Sequence, residues 1–263
     1  MRILVTNDDG VAAPGIWALA RELAKVGDVL VAAPNRDMSG SAAAMALRRP
    51  IRVRPAKPPR DLAGLAAYAI SSPPAGCVAL ALRGAVAPGA VDVVVSGINA
   101  GANLGRDALL SGTVGAAFIA ALEGVPAVAV SVVRDDFFHF EPAARVAARL
   151  VQRLGEAAPA GNVLLNVNLP NLPAAQLAGV KLTHLSHDCC LPRLEVRPHD
   201  GRAGSFIMTT GRRAPCDRDE GSDEWAVANA YVSVTPLLPD VSFDLSDPRV
   251  PAWLADLLPV SVG

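Results

Sequence analysis

The sequence RILVTNDDGVAAPGIWALARELAKVGDVLVAAP, residues 2–34, decides the fold class. It begins with Arg2–Thr6, a short apolar run that predicts a β-strand. From Pro14 onward, apolar residues recur every three or four positions, which predicts an amphipathic helix. A second apolar run at 28–33 predicts another strand. This β–α–β unit indicates two parallel strands, with the polar loop NDDG after the first of them.

The alternation of strands and helices continues to about residue 170. The run at 91–95 is rich in β-branched residues and is typical of a strand buried on both faces. Further segments predict helices at 111–122 and 142–154 and strands at 127–132 and 162–169. The pattern predicts an α/β fold with a Rossmann-like, doubly wound, mostly parallel sheet, whose ligands bind at the carboxyl ends of the strands. We therefore expect a catalytic core at 1–170. A C-terminal extension at 171–263, β-rich and carrying an oligomerisation tail, would pack on the core or on a neighbouring subunit.

Composition excludes several classes of protein. The 263 residues carry a formal net charge of −1, and 51% are hydrophobic while only 4% are aromatic. Such a chain is neither disordered nor basic enough to bind a nucleic-acid polymer as its main ligand. The longest apolar stretch, 114–122, is far shorter than the roughly 20 residues of a membrane span. The four cysteines, Cys77, Cys189, Cys190 and Cys216, lack CxxC spacing, so we expect reduced thiols and a cytoplasmic location.

Adjacent carboxylates follow the first predicted strand. Asp8 and Asp9 would point to opposite faces of a continuing strand, but Gly10 lets the chain turn so that both can converge on one cation. Oxygen ligands of this kind suit a hard divalent ion. The alternative is an Asx turn that leads into the following helix.

Two further polar loops follow predicted strands. The segment APNRDMSGS, 33–41, offers hydroxyl, amide and arginine side chains, although it also fits a surface turn. The segment SGINAGANLGRD, 96–107, leads to Ser111-Gly112-Thr113 at the start of a helix. A helix N-terminus with small residues binds phosphate, whereas the alternative is a serine N-cap on an ordinary helix. Neither a P-loop lysine nor a GxGxxG motif is present.

Together the three loops favour one kind of site. Carboxylate, amide and hydroxyl oxygens, without a cluster of Cys and His, select Mg²⁺, Mn²⁺ or Ca²⁺ over zinc. A metal pocket beside a helix N-terminus suits a phosphate ester, because a bound metal polarises the phosphoryl group and activates water. The sequence therefore favours metal-dependent phosphoester hydrolysis.

Several collinear stretches resemble the SurE family of survival proteins, which are metal-dependent 5′/3′-nucleotidases. These stretches are RILVTNDDGVAAPGI, APNRDMSGS, VVVSGINAGANLG, SGTVGAA and YVSVTPL. The resemblance covers roughly residues 1–133, with further similarity at 165–170 and 221–237.

The resemblance implies a Rossmann-like core and one divalent metal ion per subunit, Mg²⁺ or Mn²⁺. The implied metal ligands are Asp8, Asp9, Ser39 and Asn99, of which Asp8 and Asp9 are also the catalytic residues. The implied phosphate and substrate residues are Asn103, Ser111, Gly112 and Thr113. The implied substrates are nucleoside 5′- or 3′-monophosphates and, in some members, short polyphosphate. The implied assembly is a homodimer or homotetramer with exchanged C-terminal elements.

This chain departs from the family pattern near the expected nucleoside position. Pro73 and Gly76 stand where members usually have Thr and Asp, and Leu110 replaces the usual Tyr before SGT. The metal set is intact, so we expect phosphatase chemistry without a defined base preference.

The histidines and the acidic residues of the C-terminal segment each allow two interpretations. His184, His187 and His199 could supply a proton to the leaving group, although surface or interface positions are the simpler expectation. The acidic residues Asp217, Asp219, Glu220, Asp223 and Glu224 resemble a second acidic site but also fit a solvated loop, with Asp223 as a helix cap.

Two other functions compete with a nucleotidase. The first is a regulatory module that binds nucleotides without turning them over. The second is a zinc deacetylase, which also places paired aspartates after its first strand. That chemistry requires a histidine beside the pair, where this chain has Asn7.

Overall fold

The structure is a computed structural model that describes residues 1–157, 163–187, 194–199, 204–210 and 219–239. Its strands are β1 (Arg2–Thr6), β2 (Asp28–Pro34), β3 (Val53–Pro55), β4 (Ala66–Ile70), β5 (Val93–Ala100), β6 (Ala127–Val132), β7 (Leu164–Leu169), β8 (Gly179–Leu182), β9 (Leu194–Pro198), β10 (Phe206–Thr210) and β11 (Tyr231–Pro236). Its helices are α1 (Pro14–Leu23), α2 (Pro74–Leu82), α3 (Gly112–Leu122), α4 (Phe140–Ala157) and α5 (Asp223–Ala228). Short 3₁₀ helices lie at Arg60–Leu62, Gly105–Leu109 and Ala174–Gln176.

Nine strands form one sheet in the order β3–β4–β2–β1–β5–β6–β7–β11–β8. The strands from β4 to β7 are all parallel, whereas β3 and β11 run antiparallel to β4 and β7. The predicted doubly wound, mostly parallel sheet is confirmed. From β1 the chain goes to β2 on one side and later to β5 on the other, so the topological switch point lies between β1 and β5. Ligands of such sheets bind at the carboxyl ends of these strands.

Both faces of the sheet are covered by helices. Ile3 and Val5 of β1 pack with α1 and α4, while Leu4 packs on the other face with α2 and α3. This two-residue alternation of fully buried apolar side chains is what a doubly covered strand requires. On α3 the buried residues Ala116, Ala117, Ala120 and Ala121 are all small, which brings the helix close to the sheet. The apolar but aromatic-poor composition is therefore explained by the core.

Strand β5 differs most from the sequence prediction. It begins at Val93 rather than 91 and continues to Ala100, through residues expected to form a loop. Ser96, Asn99 and Ala100 still pair with β6, with a register irregularity between Ser96 and Asn99. Tertiary pairing with β6 overrides the loop-like local composition of this segment. The loop that follows β5 is therefore shorter and starts closer to the sheet.

Part of the C-terminal segment belongs to the main sheet. β11 pairs with β7, and β8 pairs with β11, so both extend the sheet beyond residue 170. β9 and β10 form a separate antiparallel hairpin. Cys189, Cys190, Cys216, Asp217 and the tail from 240 to 263 lie outside the described residues. The division at residue 170 and the exchange of this segment with a neighbour stay predictions.

Within the described ranges, no helix is both long enough and apolar enough to span a bilayer.

Candidate metal and phosphate site

The first polar loop turns sharply after β1. Buried Asn7 donates its amide nitrogen to the Gly10 carbonyl at 3.0 Å, which closes the turn from its first residue to its last. Gly10 has φ +94, and a Cβ there would lie 3.0 Å from the Arg36 carbonyl carbon. Only glycine combines this backbone conformation with such a close approach. The loop after β1 therefore packs directly on the loop after β2.

Asp8 is buried between this loop and the start of α3. Its Oδ1 accepts a hydrogen bond from the Thr113 hydroxyl at 2.5 Å, and its carbonyl oxygen accepts one from Met38 N–H at 2.8 Å. The pKa of Asp8 is raised to about 6: burial is the main cause and the neighbouring Asp9 adds to it, while the hydroxyl and N–H of Thr113 lower it. An ionised Asp8 is therefore costly here unless a cation accompanies it.

Asp9 faces β5 rather than α3. Its Oδ2 accepts a hydrogen bond from Ala100 N–H at 3.2 Å. Burial raises the pKa of Asp9, the Ala100 N–H lowers it, Asp37 raises it and Arg134 lowers it. Asp8 thus contacts the start of α3, and Asp9 contacts the end of β5. The two carboxylates are still close enough to repel each other.

Ser39 and Asn99 complete the expected oxygen set. Ser39 donates both its N–H and its hydroxyl to Asp37 Oδ1, at 2.7 and 2.6 Å. Asn99 donates its amide nitrogen to the Gly101 carbonyl at 2.6 Å, which leaves its own carbonyl oxygen to accept or coordinate. The described part of the chain has no group of three or more His, Cys, Asp or Glu side chains arranged to hold a metal. Two carboxylates with neutral oxygens fit a hard divalent cation better than zinc.

The start of α3 lies against Asp8. Ser111 is its N-cap and accepts a hydrogen bond from Val114 N–H at 3.2 Å, so the N-cap interpretation is confirmed. A Cβ on Gly112 would lie 3.0 Å from Asp8 Oδ2 and 2.7 Å from Ser41 Oγ. Thr113 contacts Asp8 directly. The structure thus places the expected phosphate-binding helix beside the expected metal ligand.

Asn103 links the loop after β5 to strands β6 and β7 by hydrogen bonds. Its amide nitrogen donates to Ser131 Oγ at 2.7 Å, and its N–H donates to Asn168 Oδ1 at 2.7 Å. Asn166 and Asn168 both donate to its carbonyl oxygen. This buried network anchors the loop after β5, whereas direct contact between Asn103 and phosphate stays a prediction. The sequence analysis missed Ser131, Asn166 and Asn168 because each looks like an ordinary strand residue.

The interpretation of Asp223 as a helix cap is wrong. Ser222 is the N-cap of α5, with its hydroxyl oxygen 3.2 Å from Trp225 N. Asp223 is instead fully buried, and it accepts hydrogen bonds from Gly105 N–H at 2.8 Å and from Ser186 N–H at 2.9 Å. It therefore fastens the C-terminal segment to the loop that carries Asn103.

We expect Asp223→Asn to lower the free energy of unfolding by about 1–3 kcal/mol, because one amide oxygen cannot satisfy donors on both sides. Burial raises the pKa of Asp223 above its ordinary value, while the N–H groups of Gly105, Ser186 and Glu224 lower it. Urea unfolding of the two proteins measures the difference, and an Asp223→Asn variant as stable as the wild type contradicts this role.

Gly115 positions the loop that carries Ser39. A Cβ on Gly115 would overlap the Ala42 carbonyl group, so this loop packs directly on the backbone of α3. Alanine normally stabilises a helix relative to glycine. We expect Gly115→Ala to lower the free energy of unfolding by about 1–3 kcal/mol instead, as overpacking does. Thermal unfolding checks this, and a raised melting temperature would contradict the packing.

His184 forms an ion-pair contact with Asp219, 2.9 Å from Nε2 to Oδ2. Its ring stacks on His187 with centroids 5.8 Å apart. A role for either histidine, or for His199, in proton donation stays a prediction.

Two charged residues near the site escaped the sequence analysis. Asp37 binds Ser39 and acts on Asp9, and Arg134 acts on Asp9 from beyond the end of β6. Only their positions in the fold could have marked them, since each residue follows a strand of the parallel sheet. Asp37 lies within the segment APNRDMSGS but was not singled out there, and Arg134 belongs to no motif.

Comparison with known proteins gives one family. The model of the SurE survival-protein family matches residues 3–190. A 5′-nucleotidase SurE of Legionella pneumophila is 41% identical over 243 residues, covering 92% of each chain. One of Haemophilus influenzae is 39% identical over 254 residues, covering 97% of this chain and 98% of its own. The crystal structure of the SurE protein from Aquifex aeolicus superposes with a TM-score of 0.77 at 32% identity, covering 98% of this chain and 99% of that one.

Proposed function

Because the chain belongs to the SurE survival-protein family, we propose that Asp8, Asp9, Ser39 and Asn99 hold its divalent metal ion. The chain is a metal-dependent nucleotide monophosphatase. The observation that supports this metal set is the burial of Asp8 beside Asp9, which raises the pKa of Asp8 to about 6. A divalent cation offsets the cost of two neighbouring ionised carboxylates. We propose one ion per subunit, Mg²⁺ or Mn²⁺, since the donors are all oxygens.

The residues around this set hold substrate and ligands in place. Asp8 and Asp9 supply the negative charge, while the Thr113 hydroxyl donates to Oδ1 of Asp8 and keeps its Oδ2 oriented. The start of α3, with Ser111, Gly112 and Thr113, receives the phosphate of a nucleoside 5′- or 3′-monophosphate. We assign Asn103 to the same group of substrate-binding residues. A bound divalent ion polarises the phosphoryl group and lowers the pKa of water for in-line attack.

Phosphate release from a panel of nucleotides and short polyphosphate, with Mg²⁺, Mn²⁺ and other divalent ions, tests this function. We expect release that EDTA stops and added metal restores. Release that persists in excess EDTA contradicts the metal proposal. Tight nucleotide binding without release under any metal would instead support the regulatory module, which the nucleotidase relatives do not favour.

We also propose a cytoplasmic homo-oligomer, a dimer or tetramer with exchanged C-terminal elements. Exposed apolar side chains on β8 and on the β9–β10 hairpin support an interface there: Val180, Leu182, Val196, Phe206 and Met208. The cysteine pattern supports the reducing compartment. Light scattering at micromolar concentration tests the assembly, and a clean monomer would overturn it.

A further inference from the structure

Arg134 lies beside the expected metal ligands at the carboxyl end of the sheet. It follows β6 by two residues, and β6 pairs with β5 so that Asn99 is opposite Ser131 and Ala100 is opposite Val132. The position that a Cβ of Gly101 would occupy lies 3.7 Å from Arg134 Nη2 and 3.6 Å from Asn99 Nδ2. The guanidinium and the Asn99 amide therefore flank the same backbone segment.

The charge of Arg134 acts on the site and is available for a ligand. Its Nη2 and the Asn99 amide nitrogen approach the same point beside Gly101, so the guanidinium lies next to an expected metal ligand. The side chain is exposed, and no ion pair links it to an acidic residue in the described ranges. Arg21 and Arg83, in contrast, each pair with a carboxylate, Asp61 and Glu123 respectively.

The charge balance of the site favours such a group. The charges of Asp8, Asp9 and one divalent ion cancel, and Asp37 adds a further negative charge near Asp9. A phosphate monoester brings about two more negative charges at neutral pH. Without another cation the substrate would enter a site of net negative charge, which weakens its binding.

We propose that Arg134 binds the non-bridging phosphate oxygens of the substrate from the β6 side of Asn99. This inference rests on the proposed nucleotidase function. The planar guanidinium presents paired N–H donors that match two phosphate oxygens, which an ammonium group cannot do. Arg134 is thus a substrate-binding residue that acts alongside the start of α3.

Comparison of Arg134→Ala and Arg134→Lys with Arg149→Ala tests this role. Arg149 is an exposed arginine of α4, so its replacement removes the same charge from another part of the surface. Two affinities are measured for each protein: that of Mn²⁺ for the free protein, by calorimetry, and that of inorganic phosphate in the presence of saturating Mn²⁺. Inhibition by adenosine, which lacks the phosphate, is measured in parallel.

We expect Arg134→Ala to weaken phosphate binding and raise KM by about 10- to 100-fold, as loss of a charged hydrogen bond does. The phosphate affinity and KM of Arg134→Lys should lie between those of Arg134→Ala and the wild type, because lysine keeps the positive charge but lacks the paired N–H donors of the guanidinium. Mn²⁺ affinity should stay the same or increase, since a positive charge near Asp9 is removed. Adenosine inhibition and Arg149→Ala should match the wild type.

Phosphate affinity of Arg134→Ala within about twofold of Arg149→Ala overturns the inference. A loss of Mn²⁺ affinity as large as the loss of phosphate affinity also overturns it, because Arg134 would then act through the metal set. A wild-type protein that releases no phosphate from any nucleotide with any metal contradicts the nucleotidase function itself, which is a separate outcome.

Discussion

Asp8→Asn and Asp9→Asn should each lower metal-dependent phosphate release by at least about 10³-fold, which corresponds to about 4 kcal/mol of transition-state stabilisation. Asparagine keeps the size of the side chain but removes its negative charge and one of its oxygens. Each variant keeps only one charged ligand, because Ser39 and Asn99 are neutral. Phosphate release at saturating Mg²⁺ or Mn²⁺ measures the effect. Asp28→Asn is the matched control, because Asp28 is an exposed carboxylate at the amino end of β2.

The fold should survive the same substitution. Burial raises the pKa of Asp8 to about 6, so the contribution of this carboxyl to the stability of the metal-free protein is fully present below its unfolded pKa of about 3.8 and is lost as the pH rises through 6. At neutral pH this loss amounts to up to about 3 kcal/mol, which a neutral asparagine avoids. The amide oxygen of the introduced asparagine can still accept from Thr113. The metal-free Asp8→Asn variant should therefore have a free energy of unfolding at least as large as that of the wild type. If Asp8→Asn or Asp9→Asn keeps more than about a tenth of wild-type activity, the assignment of the metal ligands is contradicted.

Gly112→Ala should lower activity by about 100-fold, the effect of a displacement of roughly 1 Å at a catalytic centre. The added Cβ would lie 2.8 Å from Asp8 Cβ and 2.7 Å from Ser41 Oγ, so Asp8 or the start of α3 must move. Helix propensity alone would favour alanine over glycine here. A loss of activity would therefore come from the crowded site.

Gly64→Ala is the control for this change, since nothing lies within 4 Å of the position its Cβ would take. It should leave phosphate release unchanged. Gly112→Ala with activity within about threefold of Gly64→Ala would show that Asp8 and α3 do not share one crowded site.

The fold could be predicted largely from local pattern. The alternation of apolar residues along β1 places Ile3 and Val5 on one face and Leu4 on the other, as the structure has them. Strand β5 could not be bounded in the same way. Its residues Gly97 and Asn99 are typical of a loop, and only pairing with β6 keeps them in the sheet.

The residues of the site also differ in whether local sequence alone can reveal them. Local chemistry makes Asp8 and Ser111 candidates, whereas Asn99 is a candidate ligand through the resemblance to the family. Asp223 could not be found in this way, because its partner Gly105 lies 118 residues earlier in the chain. Arg134 follows a strand without any motif of its own. Both positions become visible only when the sheet brings distant strand ends together.

The most direct measurement of the central claim is anomalous diffraction from a crystal of the Mn²⁺-bound protein, recorded at the manganese absorption edge. The account predicts one anomalous peak per subunit, within about 2.3 Å of oxygen atoms of Asp8 and Asp9 and adjacent to Ser39 and Asn99. A peak on any other set of residues, with that cluster empty, would contradict it.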